Sequence, residues 1–265
     1  MIRLGVNTVL FKAFSFGEAA WAIKTAGYDG LEISAIKGMC EHLDLDRFAE
    51  QKDEIQGVLR ETGLQLLSCE VASLDEERLE KAFAAAKAIG IPIINVGPGG
   101  KMNEEATVAE SIAKLGRMAK RAASYGVTLC CKAHVGASIY NTETTLRAMA
   151  AIADPAFGID MDPSHVYRAA ENPESALPKV LSRTKHIHVR DCRGRGPAPG
   201  EPAMQACGRG DIDLFAYFKA MVDGGYNGPV CLEVIGPEQT KDHAMAIAAE
   251  SYGYMNACLK MLKAR

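Results

Sequence analysis

Short apolar runs recur along the chain at a steady interval, and each is followed by a segment of helical periodicity. The runs lie at 2–7, 29–34, 64–70, 91–97, 127–136, 158–162, 185–191 and 229–236. Amphipathic stretches follow at about 17–26, 45–61, 75–90, 103–125 and 142–153, with a glycine stopping the third and fourth. A helical segment with a proline at its entry follows the sixth run, another is entered at Gly210-Asp211-Ile212-Asp213, and the last covers about 238–262. Strand, helix, strand within about thirty residues is a βαβ unit and implies parallel strands. Eight strand-helix units with no linker or low-complexity segment predict an α/β fold: a closed (β/α)8 TIM barrel, one domain over residues 1–265. The length of 265 residues suits one barrel, typically ~250 residues.

In such a barrel alternate strand residues point inward, and the last of them line the mouth. That period of two selects Asn7, Glu32, Glu70, Lys132 with His134, Asp162, His186 with His188, and Glu233. Ionisable groups cost several kcal/mol in a core unless paired, so their recurrence at strand after strand predicts a shared, wet, functional cavity. Singly, several have plainer readings. Glu32 and Glu70 suit loop hydrogen bonds, His186 a satisfied core histidine, and Asp162 and Asp191 helix caps. Lys101 in GPGGK lacks the spacing of a phosphate loop, which leaves a mobile βα loop. Asp162, His188 and Glu233 are different as a set: three ligand-type residues on three adjacent strand ends point to a divalent metal.

Composition narrows the setting. A content of 48% hydrophobic and 24% charged residues describes an ordinary globular chain with ample core. A net charge of −3 gives no general attraction for nucleic acid or an anionic membrane. The 8 cysteines form no CxxC pair and several sit in apolar runs, so they read as reduced core residues. The opening MIRLGVNTVLF enters a strand directly, unlike a signal peptide, and no run approaches the ~18 apolar residues of a membrane span. A cytoplasmic protein is expected.

The segments IDMDPSHVYRAAENP, KHIHVRD, GRGDIDLFAYFKAMVDGGYNGPVCLEV and the opening IRLGVN resemble the sugar phosphate isomerase/epimerase family. These are xylose isomerase-like TIM barrels, which include ketose 3-epimerases, hydroxypyruvate isomerases and inosose dehydratases. The resemblance covers essentially the whole chain and is most specific after Gly158. It implies a divalent metal (Mn, Mg, Co or Zn) held by four residues of strands five to eight. Asp162, His188 and Glu233 match three of them, and Glu233 matches a group that also exchanges a proton with substrate. His165 and Arg193 match substrate contacts. The fourth ligand is a glutamate, commonly followed two residues on by histidine, and here that place reads Lys132-Ala133-His134.

That departure adds two units of positive charge and removes one of two opposed proton-transfer groups. Either His134 substitutes as a ligand and Lys132 binds a substrate oxyanion, or the metal keeps three ligands or none. A lysine beside a metal has a lowered pKa and can act as a base; an ion pair with Glu70 or Asp162 is the plainer outcome. The leading expectation is a metal-dependent isomerase or epimerase acting on a small sugar, keto-sugar or cyclitol by proton abstraction next to a carbonyl. A lyase or dehydratase on a keto-sugar or inosose, with Lys132 as base or Schiff-base group, is the alternative. A non-catalytic sugar-binding relative comes after it. DNA repair shares the barrel but is opposed by the acidic balance and the missing glutamate. The expected mouth is bordered by Glu70, Lys132, His134, His165 and Arg193, with the RGRGPAPGEP loop folded over part of it or mobile. The expected partner is a small carbohydrate, with no nucleic acid or membrane, and a homo-oligomer is left open.

Overall fold

The computed structural model describes residues 1–265. Eight parallel strands close into a barrel: β1 (Arg3–Asn7), β2 (Gly30–Ile36), β4 (Gln65–Glu70), β5 (Ile93–Val96), β6 (Thr128–Lys132), β7 (Phe157–Met161), β8 (Thr184–Val189) and β9 (Pro229–Leu232). Each pairs with the next, and β1 pairs with both β9 and β2, which closes the ring. A two-residue strand, β3 (Cys40–Glu41), adds antiparallel to the end of β2.

The helices are α1 (Phe16–Ala26), α2 (Phe48–Thr62), α3 (Glu76–Ile89), α4 (Glu105–Tyr125), α5 (Thr142–Ala151), α6 (Pro163–Arg168), α7 (Pro173–Val180), α8 (Leu214–Asp223) and α9 (Lys241–Met261). Their ends follow local chemistry. Ser15 and Glu18 form a capping box at α1, Asp75 caps α3, and left-handed Gly90 and Gly126 stop α3 and α4. The faces turned to the barrel are apolar at helical spacing, as in α4 with Val108, Leu115, Met118, Ala119 and Ala122. No helix is long and apolar enough to cross a membrane.

Two boundaries differ from expectation in ways that matter for the site. The fifth barrel strand ends at Lys132, not at residue 136, because the chain turns back there: Ala137 N–H donates to the His134 carbonyl at 3.0 Å. The segment between β7 and β8 is two helices, with Ala170 at a φ of 67° between them.

The long loop after β8 is pinned down. Asp191 accepts backbone N–H groups from Cys192 at 2.9 Å, Gly208 at 3.0 Å and Ile212 at 3.2 Å, so it anchors the loop instead of capping a helix. Gln205 donates to the Ile235 carbonyl at 2.6 Å and accepts from Ile235 N–H at 3.0 Å, which ties the loop to the exit of β9.

The lower barrel interior is narrow. Gly5 and Gly30 are register partners, and Leu67 fills the space they leave. A Cβ on Gly30 would lie 2.4 Å from the Gln65 carbonyl oxygen and 2.7 Å from Leu67 Cγ. Backbone cannot yield as a side-chain tip can. Gly30→Ala is therefore expected to cost about 1–3 kcal/mol. At ~2–4 °C per kcal/mol for a chain of this size, scanning calorimetry should show a clearly lowered Tm. An unchanged Tm would mean the strands separate freely there.

Candidate active site

The pleat turns the last inward side chains of each strand toward the C-terminal end, where they form two buried layers. Asp160 is the hub of the lower one. Its Oδ1 lies 2.9 Å from His186 Nδ1 and accepts His188 N–H at 3.1 Å, while its Oδ2 lies 2.6 Å from His188 Nδ1. His188 Nε2 meets Glu32 Oε2 on the other side. Asn7 and Asn95 donate their amides to the two Glu32 oxygens at 2.8 and 2.6 Å, and Ser68 Oγ lies 2.9 Å from His186 Nε2. Burial opposes charge on His188, yet Asp160 and Glu32 hold its pKa well above the imidazole range. His188 is therefore an imidazolium whose two N–H groups both donate to carboxylates.

The upper layer is built on Lys132. Its Nζ donates to Glu70 Oε1 at 2.8 Å and to Glu233 Oε1 at 2.9 Å, with all three side chains about 5% exposed. Burial opposes the ammonium, but Glu233 and Glu70 raise the Lys132 pKa well above its ordinary value. So held, the amine is placed as a donor to both carboxylates. Of the expected ion pairs, the one with Glu70 forms and the second partner is Glu233. The two glutamates are driven apart. Burial and the Glu233 charge push Glu70 up to about 8, while Lys132 and Arg190 overcome burial and hold Glu233 well below the carboxylate range. One is a proton donor near neutrality and the other a carboxylate.

Arg190, two residues beyond His188, was not singled out by the sequence. It is 1% exposed. Its Nε donates to Ser164 Oγ at 2.8 Å, Nη1 lies 3.1 Å from Glu233 Oε2, and Nη2 lies 2.9 Å from Asp162 Oδ2. The last two contacts are ionic in distance without hydrogen-bond alignment, so Arg190 Nη1, Glu233 Oε2 and Asp162 Oδ2 have no hydrogen-bond partner. Asp162 turns its Oδ1 to Ser164, accepting N–H and Oγ–H at 2.8 Å each, and thereby caps α6.

His165 projects from α6. Its Nδ1 accepts from Val135 N–H at 3.2 Å and Arg168 Nη2 at 3.0 Å, and its Nε2 lies 2.8 Å from Arg190 Nη2. Burial and Arg190 push its pKa well below the usual imidazole value. Guanidinium and backbone N–H groups can only donate, so both ring nitrogens of His165 face donors already in place.

A cavity of about 120 Å³ opens over these groups, lined by Glu70, Lys132, His134, His165, Arg190 and Glu233. Ile36, Met39 and Ile235 give it an apolar side. A larger groove of about 600 Å³ lies beside the mouth and shares only Ile36 and Ala72 with it. Arg193 does not line the cavity: it is exposed and donates from Nε to the Arg209 carbonyl at 3.2 Å. Arg190 stands where Arg193 was expected. His134 is at the exposed rim, its ring 4.0 Å from that of His165, and the loop 193–202 contributes no lining residue.

Several known proteins are similar to the chain. Inosose dehydratase of Clostridium perfringens (strain 13 / Type A) is 29% identical over 148 residues, 50% of this chain and 48% of that protein. Inosose dehydratase of Clostridium botulinum (strain Alaska E43 / Type E3) is 24% identical over 264 residues, 84% of this chain and 83% of that one. Among solved structures, the D-allulose 3-epimerase of Methylomonas sp. superposes with a TM-score of 0.76 at 17% identity, covering 97% of this chain and 98% of that one. The IOLI protein with a bound zinc atom does so with a TM-score of 0.77 at 18% identity, covering 97% and 98%. At these identities the superpositions show the fold.

Glu70, His188 and Glu233 bring ligand atoms within 4.8 Å of one another, as do Glu32, His186 and His188. By their donor types both are candidate groups for a divalent ion. Asp162 belongs to neither group. The side chains as they stand do not fit an ion, however. The Lys132 ammonium sits on both glutamates of the first group, and neither ring nitrogen of His188 has a free lone pair. The fold is not in question: the family model described as xylose isomerase-like TIM barrel matches residues 21–258, and the chain belongs to that family.

Proposed function

We propose that this chain enolises a small polyhydroxylated carbonyl compound, a keto-sugar or an inosose, by removing a proton from the carbon next to the carbonyl. The observation that carries the reading is the split pair at Lys132: Glu233 ionised and Glu70 protonated, both facing one cavity. Glu233 takes the proton. The C–H electron pair becomes part of a C=C bond, and the carbonyl oxygen takes the negative charge beside the Lys132 and Arg190 donors. Glu70 then has a proton to give. Delivered to a leaving hydroxyl one carbon further on, it releases water and makes the enzyme a dehydratase; delivered to carbon from the opposite face, it makes an epimerase.

Water loss is the fate supported by the curated relatives, which are named inosose dehydratase. Epimerisation is the second reading, supported by the fold shared with D-allulose 3-epimerase. A sugar or cyclitol substrate is common to both. Lys132 and Arg190 hold the oxygens, while Ile36 and Ile235 suit the faces of a ring or chain. Incubation in ²H₂O with a panel of inososes and keto-sugars, read by NMR, is the test. Deuterium at the α-carbon or a dehydrated product is expected, and neither appearing with any member would sink the reading.

Two predictions follow from the same pair. Glu233→Gln should lower α-proton exchange by roughly 100-fold or more, whereas Glu70→Gln should leave exchange in place and block product formation. Exchange lost equally in both would contradict the assignment of base and acid. The second concerns pH. Because the acid form of Glu70 is required and is lost as pH rises through about 8, turnover should fall on the alkaline side of that value while Glu233 stays ionised. A rate still climbing well above it, measured as kcat against pH, would exclude Glu70 as the acid.

A further inference from the structure

Three buried carboxylates stand at the barrel mouth, and two tethered cations touch all of them. Lys132 bridges Glu70 and Glu233, and Arg190 spans Glu233 and Asp162. Each cation is fixed. Lys132 is 4% exposed, and Arg190 is fastened by its Nε to Ser164 and surrounded by His165, Asp162 and Glu233. Two unit charges on two side chains equal the charge of one divalent ion, delivered to the carboxylates such an ion would use.

The two arrangements exclude each other. An ion bonding Glu70 and Glu233 at ~2.0–2.2 Å would occupy the position of the ammonium, whose nitrogen lies 2.8 and 2.9 Å from the same oxygens. Arg190 would remain beside Glu233 and add like-charge repulsion among buried groups, where charge is weakly screened. Both ring nitrogens of His188 are already engaged, Nδ1 by Asp160 at 2.6 Å and Nε2 by Glu32.

We infer that Lys132 and Arg190 take the place of a divalent cation in this chain, so that the site is complete without metal and takes one up only when Lys132 is changed. The inference rests on reading the cavity as an enolising site, where the pair has a chemical task. When the α-proton passes to Glu233 and the carbonyl electrons move onto oxygen, the new negative charge lies against Lys132 Nζ and the unpartnered Arg190 Nη1. No electron leaves or enters, and no Lewis acid from outside is required.

The test reads metal, not turnover, so its failure and that of the enolising reading are distinguishable. Full-length protein is purified in chelator, freed of it, titrated with Mn²⁺ and with Zn²⁺, and examined by elemental analysis and calorimetry. Wild type is expected to keep less than about a tenth of an ion per chain and to show no metal-dependent rise in Tm. Lys132→Glu, which adds a carboxylate to the Glu70, His188 and Glu233 group, is expected to hold close to one ion per chain and to gain Tm with metal. Lys132→Gln removes the charge without adding a strong ligand, and is expected to bind metal about tenfold or more tighter than wild type. It also covers the case in which Lys132→Glu fails to fold. One ion per wild-type chain retained through gel filtration overturns the inference, as does Lys132→Gln binding metal no better than wild type.

Discussion

A lysine ammonium held between two glutamates is the contact on which the mouth of this barrel depends. Glu70 and Glu233 face one cavity, and two buried carboxylates without a cation could not both stay ionised. Lys132 makes the pair stable and also unequal. It shares itself between them, but Glu233 has Arg190 at 3.1 Å from its Oε2, whereas the second Glu70 oxygen accepts from the neutral amide of Asn7 at 2.6 Å. The asymmetry in partners becomes an asymmetry in protonation, and that is what an acid and a base on one substrate require. Removing one partner from such a buried group typically costs 3–5 kcal/mol, so the same contact that sets the chemistry also fixes the geometry.

Beneath it lies a second set of charges that is structural in its effect. Glu32 and Asp160 clamp His188 from both sides, and Asn7 reaches both layers, donating to Glu32 below and Glu70 above. A network of this kind, in which Asn95 Oδ1 alone lacks a hydrogen-bond partner, holds the mouth residues in register. It costs His188 its availability as a ligand. The histidine is at the strand end where a metal ligand was expected, with a carboxylate at each ring nitrogen.

How much of this was legible in the sequence depends on which signal carried it. Eight alternating units predicted the barrel, and alternation placed Asn7, Glu32, Glu70, Lys132, His188 and Glu233 at the inner strand ends, where all are buried. Asp160 was missed although it is two residues before Asp162, on the same period; a register irregularity between Ile159 and Asp160 sets its contacts with β8, and no pattern announces it. Arg190 was missed although it lies within the run 185–191, two residues beyond His188 on the same period. Arg193 was put forward from resemblance, and its backbone had already left for the Asp191-anchored loop. His134 does border the cavity, but from its exposed rim: the strand carrying it was assumed to run on, and the chain turned at Lys132.

The central claim is one of place: the charge at the mouth belongs to side chains. Crystals grown in Mn²⁺, with diffraction recorded on both sides of the manganese absorption edge, test it most directly. The expected result is density for the Lys132 side chain bridging Glu70 and Glu233, Arg190 against Glu233 and Asp162, and no anomalous peak between them. An anomalous peak at about 2.0–2.3 Å from Glu233, with Lys132 turned out of the cavity, would contradict it.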